Sequence, residues 1–389
     1  MKILLVSESY PPIMSGVATV VSSYAHALHA HHHSVSVITT NNTYTSCVTK
    51  TNGITTYRIK GIKNIIRPDC STSIPSRKEL RAILEKEQPD IIHVHSFATL
   101  IIFIRPLAKH MHIPIVATCH GIPPWLTTYI PLPKIMLFPL EYVLWEFLRR
   151  YLNTTHHVLT PSLYVKQELI RHGVTTPCSI LPMWIKSAKQ NVKKIQGTNF
   201  VYSPSKTYYC FIGRLNPDKN LAFLFRSWIL FQKKHQNAKK QRLLIIGSGT
   251  QEAYLKQLAS LDQTHSIMFL GKYEEQELSY FYKHCQFFCM PALYETQSIV
   301  TLCAIAQGKT AILAHSGALL EIKKRYPKHV LLYNPTSQQD LIRCLKTTVK
   351  KLPKPNMIFY SQQKIVNQLC SLYHSIINAS QRSFFEFEE

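Results

Sequence analysis

Short aliphatic and β-branched runs alternate along the chain with longer stretches in which apolar positions recur three and four residues apart. "KILLVS" at 2–7 precedes the amphipathic "GVATVVSSYAHALHA" at 16–30 and then "SVSVITT" at 34–40. "DIIHVHS" is followed by a helix from about Ala98 to His110, then by "IPIVATCHG". "HHVLTPS" leads into a helix from its N-cap Ser162 to about His172, and "CSILP" closes the series. This rhythm predicts a parallel sheet with crossover helices.

A polar, lysine-rich stretch without periodicity, Trp184 to Thr207, reads as a linker. The alternation then restarts with "YYCFIGR", "NLAFLFRSWILFQ", "RLLIIGSG", "IMFLG", "CQFFCMP" and "TAILAH". The pattern gives an α/β fold with a domain at 1–183, a linker at 184–207 and a domain at 208–352. A closing helical segment at 353–389 is expected to return to the first domain. Two such halves place a ligand between the carboxyl ends of both sheets.

In "MPALYETQSIVTLCAIAQG", Met290 to Gly308, Glu295 is the one charge in a segment of small, polar and apolar residues. Ile299, Leu302, Cys303 and Ala306 fall at helical spacing, so a buried helix is expected to begin near Glu295 and Ser298. An acidic residue there complements the helix dipole. It also stands where free backbone N–H groups meet an anion and a carboxylate meets a hydroxylated ligand.

Composition narrows the classes. Apolar content of 46% in 389 residues excludes wholesale disorder and allows two cores. Lys and Arg number 45 against 21 Asp and Glu, a net charge of +24 that suits an anionic ligand, an anionic membrane or nucleic acid. No nucleic-acid module is recognisable, so a nucleic-acid partner is not expected. Ten scattered cysteines without a C-x-x-C pair point to a reduced, cytoplasmic compartment. The apolar run in "MKILLVSESYPP" is too short for a signal-peptide core and reads as a first strand. Tyr129 to Leu148 is interrupted by Lys134, Glu141, Glu146 and three prolines, which does not fit a bilayer span. With Arg149 and Arg150 beside it, the region suits either a membrane surface or a core helix.

Candidate chemistry lies at the ends of strands. "YPPIMSGVATVV" brings Gly16 to the opening of a helix, where backbone can approach a phosphate or simply make a tight turn. In "GRLNPDKN", Arg214 offers a fork to phosphate oxygens, and Lys219, five residues on at the start of the next helix, a compact charge. "GSGTQE" at 247–252 lacks the third glycine of a dinucleotide fingerprint. No D-x-D pair occurs, so no metal held by paired aspartates is expected. His93 and His95 share a strand face within reach of one metal, without a third ligand nearby. The cluster His26 to His33 suits a helix end. His120, at a strand end, is the histidine singled out for a site, with a core histidine as the other reading.

Taken in order, these turns resemble glycosyltransferase family four, retaining enzymes of the GT-B fold with two Rossmann-like parallel-sheet domains facing a central cleft. "ESYPPIMSGVATVV" is most similar to bacterial diacylglycerol glucosyltransferases, and the remaining segments from "DIIHVHS" to "ETQS" follow the family's order. The resemblance implies that Gly16 approaches the donor diphosphate and that Arg214 and Lys219 bind it. It implies that His120 lies beside the donor sugar, that Glu295 contacts sugar hydroxyls, and that amides near Ser298 and Ile299 face phosphate. Cys303 stands where the family carries a second glutamate for the nucleotide ribose, a loss of roughly 1.5–3 kcal/mol. Ser298 and His32 stand where the family has glycines.

The implied activity is retaining, metal-independent transfer of a hexose, with glucose and UDP as expected donor parts, to a lipid such as diacylglycerol at the cytoplasmic membrane face. The protein would be peripheral to an anionic membrane and need no cofactor beyond the nucleotide-sugar substrate. The alternatives are a saccharide or soluble acceptor, or a non-catalytic binding protein that keeps the fold.

Overall fold

A computed structural model describes residues 1–13, 15–63, 71–95, 97–130, 132–185, 200–235, 240–348 and 352–385. The chain forms two compact units, one of Met1–Met183 with Gln363–Glu389 and one of Trp184–Gln362.

In the first unit the elements run β1 (Lys2–Ser7), α1 (Gly16–Ala30), β2 (Ser34–Thr40), β3 (Cys47–Thr51), β4 (Ile54–Ile59), β5 (Gly61–Lys63), β6 (Ser71–Ser73) and α2 (Arg77–Glu87). They continue through β7 (Ile91–Val94), α3 (Thr99–His110), β8 (Ile115–Thr118), α4 (Pro123–Thr127), α5 (Lys134–Leu152), β9 (His157–Thr160), α6 (Leu163–Arg171) and β10 (Cys178–Ile180). Eight strands form a sheet in the order β10-β9-β8-β7-β1-β2-β4-β3, parallel except for the β3–β4 pair. The central strands are unbroken apolar runs because helices cover both faces; in β1 every residue after Lys2 is buried.

Helix α1 buries Ala18, Val21, Ala25 and Leu28 along one stripe, and Ser15 caps it by accepting the Ala18 N–H at 3.0 Å. It ends with His32 in the left-handed region at φ 62°, the conformation that makes glycine the usual residue there. Ser162 caps α6 as its position predicts, accepting from Val165. The apolar region beginning at Tyr129 contains a helix with two apolar sides. Trp145, Leu148 and Leu152 of α5 pack inward, while Ile135, Phe138 and Tyr142 face out at 84%, 71% and 66% exposure. The inward side fits the core-helix reading; the outward side leaves an exposed apolar surface. Among the described residues no helix is long and apolar enough to cross a membrane.

The second unit runs β11 (Thr207–Ile212), α7 (Leu221–Lys234), β12 (Gln241–Ile246), α8 (Glu252–Ala259), β13 (Ile267–Gly271), α9 (Glu275–His284), β14 (Phe287–Met290) and α10 (Ile299–Ala306). It continues with β15 (Thr310–Ala314), α11 (Leu319–Arg325), β16 (Val330–Tyr333) and α12 (Gln338–Leu345). All six strands are parallel, in the order β13-β12-β11-β14-β15-β16. Tyr209, Phe211, Phe225, Trp228, Phe281 and Phe287 fill its core. The buried Trp228 N–H is satisfied by Ser266 at 2.8 Å, and Ser266 donates in turn to Asp262. Of the stretch read as a linker, 186–199 lies outside the described residues; Trp184 and Phe200 at its ends are buried.

The last helix, α13 (Gln362–Phe385), buries Ile365, Val366, Leu369 and Tyr373, and from Gln363 onward it belongs to the first unit. Residues 386–389, most of the terminal "FFEFEE", lie outside the described residues.

Candidate functional site

The strand order of the second unit reverses between β11 and β14, and the loops leaving the carboxyl ends of those two strands flank a crevice suited to a ligand. The loop after β11 carries Gly213 and Arg214, a single 3-10 turn at Pro217–Lys219, and Asn220 in the left-handed region before α7 begins. The loop after β14 carries Glu295 and Ser298. The two loops meet: Lys219 Nζ lies 2.6 Å from Glu295 Oε1 and 3.2 Å from Asp218 Oδ2, while Arg214 reaches the same Asp218 oxygen at 3.9 Å.

Asp218 is wholly buried, and the Lys219, Glu295 and Arg214 side chains are 13%, 12% and 26% exposed. Burial opposes the Lys219 charge, yet Glu295 and Asp218 outweigh it and its pKa is raised. The cluster is thus a set of fixed charges in a partly dry crevice, two cations against two carboxylates, with a cationic fork at its more open end.

A neighbouring turn holds this loop in place. Leu215 N–H donates to Ser248 O, Gln251 N–H to Leu215 O, and Thr250 N–H to Asn216 Oδ1. Gly247, at φ 131°, has no room for a Cβ, which would fall 1.9 Å from the Gly213 carbonyl oxygen. The glycines of "GSGTQE" therefore serve close packing of one turn on another.

Of the helix start expected near Glu295 and Ser298, the structure keeps Ser298 and places Glu295 outside the helix. Helix α10 starts at Ile299, has no acidic residue in its first turn, and leaves Glu295 four residues upstream. Its carboxylate answers Lys219, not the helix dipole. Ser298 is the N-cap at φ 58°, again a left-handed residue where glycine is usual, and no side chain caps the first turn. Its hydroxyl pairs with Thr301 at 2.7 Å. Ile299 and Cys303, one turn apart, share a partly exposed side of α10, while Leu302 and Ile305 are buried.

Gly16 and His120 belong to the other unit. Gly16 is the first residue of α1, with nothing within 4 Å of where a Cβ would stand. His120 follows β8, and its Nε2 lies 3.0 Å from His95 Nδ1. His93 and His95 do share a face, with ring centroids 4.0 Å apart. The sequence reading overlooked Asp218 and Glu8, and weighed His95 only as a metal ligand. Asp218 stood inside the quoted "GRLNPDKN", between the two cations. His95 stood in "HVH". Glu8, buried after β1, accepts from Thr40, Ser73, Thr99 and the Leu100 N–H, so it caps α3 from outside the helix. A lone carboxylate amid "VSESY" was its signal.

Two family models match the chain in succession, "Glycosyltransferase Family 4" over residues 14–188 and "Glycosyl transferases group 1" over residues 199–364. The chain belongs to glycosyltransferase family four. An uncharacterised glycosyltransferase of Methanocaldococcus jannaschii is 26% identical over 360 residues, covering 87% of each chain. The α-monoglucosyldiacylglycerol synthase of Streptococcus pneumoniae is 25% identical over 329 residues, 82% of this chain and 72% of that one. Sucrose-phosphate synthase from Thermosynechococcus elongatus shares the fold at a TM-score of 0.75 and 16% identity, over 97% of this chain and 99% of the other. The family-four chain thus has the GT-B fold that its motif order implies.

Proposed function

We propose that this family member is a retaining, metal-independent hexosyltransferase that moves glucose from UDP-glucose to a lipid hydroxyl, such as that of diacylglycerol, at the cytoplasmic face of the membrane. The observation that carries this reading is the Arg214–Asp218–Lys219–Glu295 cluster at the reversal point of the second sheet. A sugar diphosphate needs positive charge at the phosphates and hydrogen-bond acceptors at the sugar, and the cluster holds both within one crevice. Lys219 has three N–H donors; Glu295 and Asp218 engage two, and the third serves a phosphate oxygen. Arg214 stabilises the same leaving group, and the uncapped first amides of α10, at Ile299 and beyond, add backbone donors. Glu295 and His120 orient the sugar.

In the front-face substitution that family membership suggests, the bond from the anomeric carbon to the phosphate oxygen breaks. The acceptor oxygen bonds to that carbon from the same side, and the departing phosphate takes the acceptor proton. The chain's own cations supply the counter-charge.

The lipid acceptor is supported by the outward apolar side of α5, with Ile135, Met136, Phe138, Tyr142 and Val143 exposed on a protein of net charge +24. It is also supported by similarity to an enzyme named for a glucosylated diacylglycerol. A second reading, a binding protein without transfer, rests on Cys303, whose thiol replaces a ribose-binding carboxylate.

A thermal-shift panel of nucleotide sugars and flotation with anionic vesicles test the proposal. Stabilisation by UDP-glucose and salt-sensitive flotation are expected. A panel in which no nucleotide sugar stabilises the protein contradicts the donor assignment, and an absence of vesicle binding contradicts the lipid acceptor. Binding without product formation favours the second reading.

A further inference from the structure

Three imidazoles stand in a row in the first unit, at the carboxyl ends of β7 and β8. His93 and His95 have ring centroids 4.0 Å apart, and His95 and His120 are 5.3 Å apart with planes inclined by only 20°. His93 is satisfied at both nitrogens, Nδ1 by the Tyr373 hydroxyl at 2.5 Å and Nε2 by Thr118 Oγ1 at 2.6 Å. His95 is not. Its Nδ1 faces His120 Nε2 at 3.0 Å, and its buried Nε2 has no partner among the described residues.

This asymmetry decides where the protons sit. Burial keeps all three rings neutral near pH 7: it pulls His93 down to about 3 and His120 to about 4, and lowers His95 well below its usual range. Each neutral ring carries one N–H and one bare nitrogen. Were His120 to donate from Nε2, the proton of His95 would sit on Nε2 as a buried N–H with no acceptor. If His95 donates from Nδ1, its Nε2 is only an unused lone pair, and proteins tolerate an unused acceptor better than an orphaned donor.

We infer that His95 is a positioning residue: its Nδ1–H donates to His120 Nε2 and so fixes His120 as the neutral tautomer protonated on Nδ1. A His120 of this kind acts on a substrate as a hydrogen-bond donor, toward a sugar oxygen, and not as a base. The tautomer assignment follows from the geometry of the buried, neutral rings; its catalytic meaning rests on the proposed role of His120 beside the donor sugar.

The test is long-range 1H–15N correlation spectroscopy on the full chain labelled with 15N-histidine, with His120 assigned through the signals lost in His120→Gln. The expected spectrum has His120 protonated at Nδ1 in the wild type. In His95→Leu it shifts toward the Nε2-protonated form, and in His95→Asn, whose side-chain amide places an N–H near the lost Nδ1, it returns. Protonation of His120 at Nε2 in the wild type overturns the assignment. No change of tautomer in a folded His95→Leu also overturns it. With UDP-glucose and diacylglycerol, kcat is expected to fall about tenfold in His95→Leu, the scale of one lost hydrogen bond, with little change in KM and recovery in His95→Asn. Tautomer changes as expected with unaltered turnover leave the assignment standing and remove the sugar contact of His120.

Discussion

The candidate site residues of the two units handle titratable groups in opposite ways. In the second unit, Lys219 and Arg214 each lie close to a carboxylate, and Glu295 and Asp218 favour the charged form of Lys219 against its burial. In the first, burial makes His93, His95 and His120 neutral; the Tyr373 and Thr118 hydroxyls hold His93, and His95 and His120 meet each other. The difference teaches that the same fold position, the carboxyl end of a parallel sheet, can present either fixed charge or neutral donors. The surroundings of each group decide which.

The comparison breaks most visibly at Lys219. Lys219→Ala removes the cation 2.6 Å from nearly buried Glu295 and the nearer of the two cations beside buried Asp218, so a stability loss of about 3–5 kcal/mol is expected. Urea unfolding measures it, and a change below about 1 kcal/mol would show that the pair is solvated and weak. Turnover should fall by about 10²–10³ in the same variant.

Cys303→Glu sharpens the charged side of the comparison. It places a carboxylate on the partly exposed side of α10 shared with Ile299 and is expected to tighten nucleotide-sugar binding by roughly 1.5–3 kcal/mol. Isothermal titration reads the change; an unaltered or weaker Kd would mean that the ribose does not lie against this side of the helix.

The neutral side is probed by acid. Histidines whose folded pKa is lowered bind fewer protons than their unfolded counterparts, so stability present above pH 6.5 is lost as pH falls below it toward the folded values. His93, with a folded value of about 3, should contribute a slope of roughly 1.4 kcal/mol per pH unit between about pH 6 and 4, and buried His95 acts in the same direction. Urea unfolding of the wild type and His93→Gln across that range separates this share from the rest. Identical slopes in the two proteins would show that His93 is not the neutral buried group described.

The smallest stability effect belongs to the outward side of α5. Ile135→Ser with Phe138→Ser should change unfolding free energy by no more than about 0.5 kcal/mol each, since both side chains are exposed. Vesicle flotation should nonetheless drop several-fold. Retained flotation would assign membrane binding to another surface.

The fold was legible wherever burial on two sides left an apolar run. In the second unit β11, β12, β14 and β15 stood out in this way, and the partly buried edge strand β13 by its apolar run alone; helical spacing marked α1, α3, α6 and α7. The β3–β4 pair did not, because "CVTKT" is an exposed edge strand with no apolar face to reveal it. Helix α2 carried a readable capping signal in Ser76 and Glu79 that composition alone obscured.

At the candidate site, Arg214, Lys219 and Glu295 were found from charge beside strand ends. What linear spacing concealed is that Lys219 and Glu295, 76 residues apart, lie 2.6 Å from each other. The left-handed backbone at Ser298 and His32 was visible only as glycine positions occupied by other residues. The tautomer relation of His95 and His120 depends on which buried nitrogen lacks a partner, and no sequence pattern records that.

The central claim is tested most directly by incubating the full-length chain with radiolabelled UDP-glucose and anionic vesicles containing diacylglycerol, and resolving the lipid products. The account predicts an α-linked glucosyldiacylglycerol, formed without added metal and reduced by about 10²–10³ in Lys219→Ala. No labelled lipid from a protein that binds UDP-glucose and floats with the vesicles would contradict it.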